Sequence, residues 1–242
     1  IENLSPTIKG IRLELDHPIE FQAGQYINID LPGVEGARAF SIANKPSDNG
    51  VIELHVRRVP DGAGTGYVHE QMQVGETLHL SGPYGQFFTR KSAPEDLIFI
   101  AGGSGLSSPQ SMVLDLLEHG DTRKITLLQG ARNLSELYNR ELFEQLAAEH
   151  DNFNYVPALD APLDEDNWAG FSGYVHEAAV EHFGGQFAGH KAYLCGPPPM
   201  IDAAITALMQ GRLVERDIYM ERFLTAADGA EGATKSALFK KI

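Results

Sequence analysis

The chain offers almost no sulfur chemistry: one cysteine among 242 residues. A lone thiol excludes a disulfide framework, and it excludes a cysteine-ligated iron–sulfur cluster within these residues. Long hydrophobic runs are missing too. None approaches the roughly 18–20 apolar residues that cross a bilayer, so no membrane partner is expected. The nine histidines show no metal-ligand spacing. His176 and His182, for example, stand six apart rather than the three or four that share a helix face, and no metal site is expected. Basic residues are scarce, 19 against 33 acidic, for a net charge of −14. That field repels a phosphate backbone and argues against nucleic acid as a partner. The opening residues, Ile1-Glu2-Asn3-Leu4-Ser5-Pro6, lack an initiator methionine and the basic–apolar layout of a signal peptide. The expectation is a cytoplasmic protein whose chain begins partway along a longer one.

What is present is a soluble composition, 43% hydrophobic and 21% charged, in a chain long enough for two domains. Its first part alternates apolar and polar residues over short stretches: Gly10–Leu15, Gln25–Leu31, Arg38–Ala43, Val51–Val56 and Glu76–Leu80. Such spacing predicts an antiparallel barrel or sandwich, interrupted by one helix near Thr65–Gln71. After about Lys91 the rhythm changes to strand–helix alternation. Strands are expected at 97–101, 124–129, 153–158, 192–195 and 218–220, with helices at 107–118, 135–149, 174–182 and 198–209. That order predicts a parallel, doubly wound sheet. The expected division is an antiparallel domain over 1–92 and an α/β domain over 93–242. The stretch Ala226–Ser236, rich in Ala and Gly, is expected to be weakly ordered.

The strongest local signal is Ile98–Pro109, an apolar strand running into Gly102-Gly103-Ser104-Gly105 and then a helix. Bare turns let a phosphate approach the backbone, and the helix N-terminus faces it with free N–H groups. The competing reading is tight packing alone. Cys195-Gly196-Pro197-Pro198-Pro199-Met200 ends a later strand on the same sheet edge, its prolines suiting a rigid helix entrance. Taken alone, Cys195 reads as a buried thiol, and no His–Asp arrangement supports it as a nucleophile. Arg132 ends another strand on that edge and either touches a ligand phosphate or ribose or is a surface residue.

In the first part, Arg38-Ala39-Phe40-Ser41 places an arginine and an aromatic ring on one strand face by period two, with Ala39 and Ser41 on the other. This suits a ligand with a pyrophosphate and a flat ring, or else an ordinary exposed strand. Of Arg57 and Arg58 at the end of His55-Val56-Arg57-Arg58, one can reach a phosphate, or both are solvated. Gly62, Gly64 and Gly66 around Thr65 open a helix and repeat the anion logic. Gly82-Pro83-Tyr84-Gly85 reads as a tight turn and Trp168 as a local packing anchor, while Glu221-Arg222-Phe223, following the last strand, either sets an aromatic or a carboxylate over a bound ligand or is an ordinary strand exit.

Together these motifs resemble the ferredoxin–NADP reductase superfamily over nearly the whole chain. The resemblance rests on Arg38, Phe40 and Ser41, on Gly62 to Thr65, on Gly102 to Gly105 with Pro109, and on Cys195, Gly196, Pro197 and Met200. It implies a six-stranded FAD-binding barrel followed by an NAD-binding α/β domain. Expected cofactor contacts are Arg38, Ala39, Phe40, Ser41, His55, Val56, Arg57, Gly62, Gly64 and Thr65 in the first. In the second they are Gly102, Gly103, Ser104, Gly105, Arg132, Cys195, Gly196, Pro197, Met200 and Phe223. Ser41, Cys195, Glu221 and Phe223 are expected nearest the flavin and nicotinamide. Within the superfamily the chain is similar to reductase components of bacterial multicomponent monooxygenases. Those carry a ferredoxin domain, whose cysteines this sequence lacks, and pass electrons to an oxygenase. The alternatives are the reductase half of a flavohaemoglobin-like enzyme or a nucleotide-sensing module. No second cation follows Arg132 until Arg140, and Glu136 opposes a 2′-phosphate, so NADH is the expected coenzyme.

Overall fold

The computed structural model describes residues 1–223; the stretch 226–236 expected to be weakly ordered lies outside them. The first half comprises β1 (Glu2–Asn3), β2 (Ile8–Glu14), β3 (Tyr26–Asp30), β4 (Arg38–Ser41), β5 (Val51–Arg57), helix α1 (Ala63–Glu70) and β6 (His79–Tyr84). All its strand pairs are antiparallel, in two sheets ordered β1-β2-β5 and β4-β3-β6. The sheets join at a corner. Ile42, just past β4, bridges to Leu54 of β5. Alternate residues Ile27, Ile29 and Leu31 meet Ile52, Leu54 and Val56 in one core, which is the period-two pattern turned inward.

The last strand of this half corrects the sequence reading. Gly82, Pro83 and Tyr84 belong to β6 rather than to a turn, and the strand starts at His79 instead of Glu76. β6 lies at a sheet edge, the place where a strand tolerates a residue without an N–H donor.

The second half alternates β7 (Asp96–Gly102), α2 (Ser107–Glu118), β8 (Ile125–Ala131), α3 (Arg140–Glu149), β9 (Phe153–Leu159), β10 (Phe171–Ser172), α4 (Val175–His182), β11 (His190–Gly196), α5 (Pro198–Gln210) and β12 (Ile218–Arg222). Its sheet is parallel throughout, in the order β10-β9-β8-β7-β11-β12. β7 is buried on both faces, which is why its sequence is a continuous apolar run. Leu97, Phe99 and Ala101 pack with Val113, Leu116 and Phe143 of α2 and α3. Ile98 and Ile100 pack with Ala178, Ile201 and Ile205 of α4 and α5.

Two expectations fail here. The helix expected from Ser135 begins only at Arg140, because Asn139 takes φ +57° and breaks the turn before it. Glu221 and Arg222 lie inside β12, not after it. Among the described residues no helix is long and apolar enough to cross a membrane.

The halves are joined by side chains. Lys45 pairs with Glu118 at 2.5 Å, Ser47 Oγ donates to the same carboxylate at 2.6 Å, and Ser111 Oγ donates to the Asn44 carbonyl at 2.6 Å.

Candidate functional site

The strand order reverses between β7 and β11, and doubly wound sheets leave a ligand crevice at such a point. Here the carboxyl ends of β7, β11 and β12 face the first half across a cleft of about 600 Å³. Ala39, Phe40, Ser41, His55, Val56 and Thr65 line one wall, and Gly102, Ser104 and Phe223 the other. A second cleft of about 610 Å³ follows the carboxyl ends of β7, β8 and β9, past Gly103, Arg132, Asp160 and Met200. Arg57, Gly102, Pro197 and Pro199 line both, so the two clefts meet at the glycine turn. Each is of the size that holds a small molecule.

The glycines of that turn do different things. Gly103 has φ +57°, which lets β7 drop into a 3₁₀ turn and then α2. A Cβ on Gly102 would meet Met200 Sδ at 2.5 Å, and one on Gly196 would meet Met200 Cε at 2.8 Å. Met200 therefore packs between two bare strand ends. Gly105 lines neither cleft. A Cβ there would strike the Cys195 carbonyl carbon at 2.6 Å and Gly196 Cα at 2.7 Å, so its bareness serves packing of the turn on β11.

At the back of the first cleft one carboxylate gathers both halves. Parallel pairing of β11 with β12 sets Glu221 beside Cys195. Ser41 Oγ of β4 donates to Glu221 Oε2 at 3.3 Å, and Ser108 Oγ of α2 donates to it at 3.2 Å. The Cys195 thiol lies 3.9 Å from the same oxygen. Burial raises the Glu221 carboxyl above its ordinary range, against the hydrogen bonds from Ser108, Ser41 and Cys195 that favour its charge. Cys195 is buried outright, and that burial, followed by the Glu221 charge, pushes its thiol well up. It stands behind Glu221 and lines neither cleft. The Phe223 N–H donates to Gly196 O at 3.1 Å, which holds the residue after β12 against the end of β11.

Several expected residues sit differently. Arg38 lines neither cleft: its Nη1 donates to the carbonyls of Glu35 at 3.0 Å and Gly36 at 2.9 Å. Its stem crosses Gly64, where a Cβ would meet Arg38 Cγ at 2.8 Å, beside the N-terminus of α1. Alternation along β4 is not clean, since Ala39, Phe40 and Ser41 all reach the first cleft. Arg58 pairs with Glu70. Thr65 Oγ1 accepts from the Val59 N–H at 3.1 Å and fixes the turn carrying Gly62. Trp168 Nε1 donates to the Phe171 carbonyl at 2.9 Å, a local contact. Glu136 lines the second cleft, but its carboxylate accepts from Ser5 Oγ at 2.8 Å and Thr7 Oγ1 at 2.7 Å. It is already engaged. The sequence reading gave no role to Ser108, Tyr138 or Asp160. For Ser108 a signal existed, a hydroxyl in the first turn of the helix after the glycines.

Comparison with known proteins agrees with this architecture. The oxidoreductase FAD-binding domain matches residues 1–89, and the oxidoreductase NAD-binding domain matches residues 99–206. The chain is 68% identical over 240 residues to the phenol 2-monooxygenase reductase component DmpP of Pseudomonas sp. strain CF600, covering 99% of this chain and 68% of that protein. It is 67% identical to the phenol hydroxylase P5 protein of Acinetobacter pittii strain PHEA-2, covering 100% of this chain and 69% of that one. The crystal structure of the Amycolatopsis cytochrome P450 reductase GcoB superposes with a TM-score of 0.84 at 32% identity, covering 91% of this chain and 66% of that one. The chain thus spans about two thirds of the length of these relatives. Two domain matches in this order, with relatives of such identity, place the chain in the ferredoxin–NADP reductase superfamily of FAD- and NAD-binding oxidoreductases, the family of these reductase components.

Proposed function

We propose that the chain carries the flavin and nicotinamide sites of a reductase component that draws electrons from NADH and supplies them to an oxygenase acting on phenol or a related aromatic compound. The observation that carries this reading is the meeting of the two clefts at Gly102, Pro197 and Arg57, with Glu221 bonded across the halves. Bound there, FAD would supply a two-electron acceptor for the NADH hydride that can give its electrons up one at a time. In this reading they leave through an iron–sulfur cluster in a ferredoxin domain outside these residues, in the cytoplasm. We place the domain division at 92/93, in a stretch without strand or helix between Tyr84 and Asp96.

The residues present fit both groups. The first cleft offers three aromatic rings, Tyr26, Phe40 and Phe223, with Arg57 and Arg58 along its edge. That suits a flat heterocycle with a pyrophosphate. Arg38, lying over Gly64 beside the N-terminus of α1, would hold a phosphate there on exchanging the carbonyls of its own loop for it. Gly102, Gly103 and Arg132 line the second cleft, where a second pyrophosphate would lie against the backbone, with Met200 and Arg57 over the space the two missing side chains leave. Ser41 and Glu221 orient the reacting ring edges. Cys195 backs them as a neutral thiol, and positioning is what these residues contribute.

Coenzyme choice follows from charge. Arg57 and Arg132 are the cations along the second cleft, against the carboxylates of Glu136 and Asp160. A 2′-phosphate calls for a cluster of cationic donors, and a carboxylate beside it costs affinity. The purified chain is expected to take up FAD, and NADH is expected to bleach the flavin band at concentrations at least tenfold below those NADPH requires. Reduction by NADPH with equal rate and affinity would overturn the coenzyme assignment. Failure to take up FAD would overturn the reductase reading.

A further inference from the structure

The segment Glu136–Asn139, expected to lie within one long helix, instead leaves a 3₁₀ turn over Leu134–Glu136 and straps the two halves together before α3 begins. Glu136 is held by Ser5 and Thr7 of the first half, and the Asn139 amide donates to Gln110 Oε1 at 2.7 Å. Between them Tyr138 turns inward and is buried. Its hydroxyl lies 3.2 Å from the Gly103 carbonyl and 3.2 Å from His55 Nδ1, with its ring edge-on to the imidazole at a centroid distance of 5.1 Å. The other imidazole nitrogen lies 3.0 Å from Glu53 Oε1, whose carboxylate that contact holds ionised below its usual range. At its backbone end Tyr138 is also fixed. Its carbonyl accepts from Gln129 Nε2 at 3.0 Å, and Gln129 Oε1 accepts from the Tyr155 hydroxyl at 2.7 Å.

A chain Glu53–His55–Tyr138–Gly103 thus runs from β5, on the wall of the first cleft, to the left-handed glycine of the second. The hydroxyl gives its one hydrogen to the Gly103 carbonyl and accepts from His55 Nδ1 while Nε2 donates to Glu53, the arrangement in which both ring nitrogens carry hydrogen. Gly103 is the residue whose carbonyl must be held if the N–H groups after it are to face one way. A glycine at φ +57° supplies no side chain of its own to hold it. Tyr138 lines neither cleft, so any effect it has on a ligand acts through that carbonyl.

We infer that Tyr138 is a positioning residue for nicotinamide coenzyme binding, locking the Gly103 turn through a buried hydroxyl that is itself anchored to the flavin-side wall by His55. The inference rests on the reading of the second cleft as the coenzyme site. Removing the hydroxyl leaves the Gly103 carbonyl and His55 Nδ1 buried without this partner, and the turn gains alternative orientations. Expected for Y138F on the FAD-loaded protein is a rise of roughly tenfold in the dissociation constant of NAD⁺ by calorimetry, on the scale of one lost buried hydrogen bond. The NADH concentration for half-maximal flavin reduction should rise in parallel, while the limiting rate changes less than about threefold. Hydrogen exchange supplies a readout independent of the bound flavin: amides of Gly103–Leu106 should exchange faster in Y138F, with those of β9 unchanged. NAD⁺ affinity within twofold of the parent, or unchanged exchange in the turn, would overturn the role of Tyr138. A parent protein that binds FAD but neither NAD⁺ nor NADH would instead overturn the reading of the second cleft.

Discussion

Glu221→Gln is expected to slow reduction of the bound flavin by NADH ten- to a hundredfold while raising the thermal stability of the protein above neutral pH. The rate loss follows from the two hydroxyls that Glu221 collects, Ser41 from one half and Ser108 from the other. Hydrogen bonds to a charged acceptor contribute about 1.5–3 kcal/mol each, roughly twice their neutral counterparts. Weakening both by about half loses roughly 1.5–3 kcal/mol of positioning, and each ~1.4 kcal/mol is a factor of ten in rate. The stability gain has the opposite origin. Burial raises the folded-state pKa of Glu221 above its unfolded value. Between those two values the folded state holds the extra proton, so stability falls as pH rises through the window and the ionised carboxylate burdens the fold above it. An amide of the same shape removes that burden. The gain should be largest at alkaline pH and shrink toward the acid side of the unfolded carboxyl pKa. Mixing experiments with NADH and thermal scans at several pH values check the two halves separately. A variant that reacts at the parent rate would remove Glu221 from the reacting site. One destabilised equally at all pH values would show that the carboxylate is structural. A residue kept at a cost in stability is expected where function requires it.

Gly105→Ala should cost about 3 kcal/mol of stability, near the top of the range for overpacking a dense interior. The added methyl would fall 2.6 Å from the Cys195 carbonyl carbon and 2.7 Å from Gly196 Cα. Both are backbone atoms in a strand paired on both sides, β7 to one side and β12 to the other. Neither can move without disturbing the sheet. For a chain of this size the melting temperature should drop by roughly 6–12 °C. Gly102→Ala provides the contrast. Its methyl meets the sulfur of Met200, the far end of a flexible side chain that can turn away, and the expected cost is about 1 kcal/mol or less. Because Gly102 lines both clefts, that variant should lose coenzyme affinity while keeping its fold. Equal destabilisation of the two variants in a denaturant titration would show that the turn relaxes as a unit.

The contrast between these glycines marks what a sequence can and cannot convey. The run from Ile98 through Pro109 is legible as a strand, a bare turn and the start of a helix, because each is dictated locally, by a continuous apolar stretch, by missing side chains and by an apolar period. Burial on both faces of β7 was readable for the same reason. Which glycine abuts a flexible side chain and which abuts backbone was not, since Met200 and Cys195 lie about ninety residues or more away. The strap at Glu136–Asn139 failed for a related reason. Glu136 and Leu137 suit a helix, yet Glu136, Tyr138 and Asn139 each bond to a distant element, and those contacts outweigh local propensity. Gly82-Pro83-Tyr84 carries turn chemistry but occupies an edge strand, a position composition alone does not reveal. The Glu53–His55–Tyr138–Gly103 chain joins residues of the two halves, and no periodicity in either predicts it.

If flavin and nicotinamide react where the two clefts meet, their planar rings must face each other there in a single orientation. Rapid mixing of the FAD-loaded chain with NADH deuterated at one or the other C4 position tests it. Flavin bleaching should slow severalfold for deuterium on one face and stay unchanged for the other. Equal slowing from both faces, or none from either, would contradict the account.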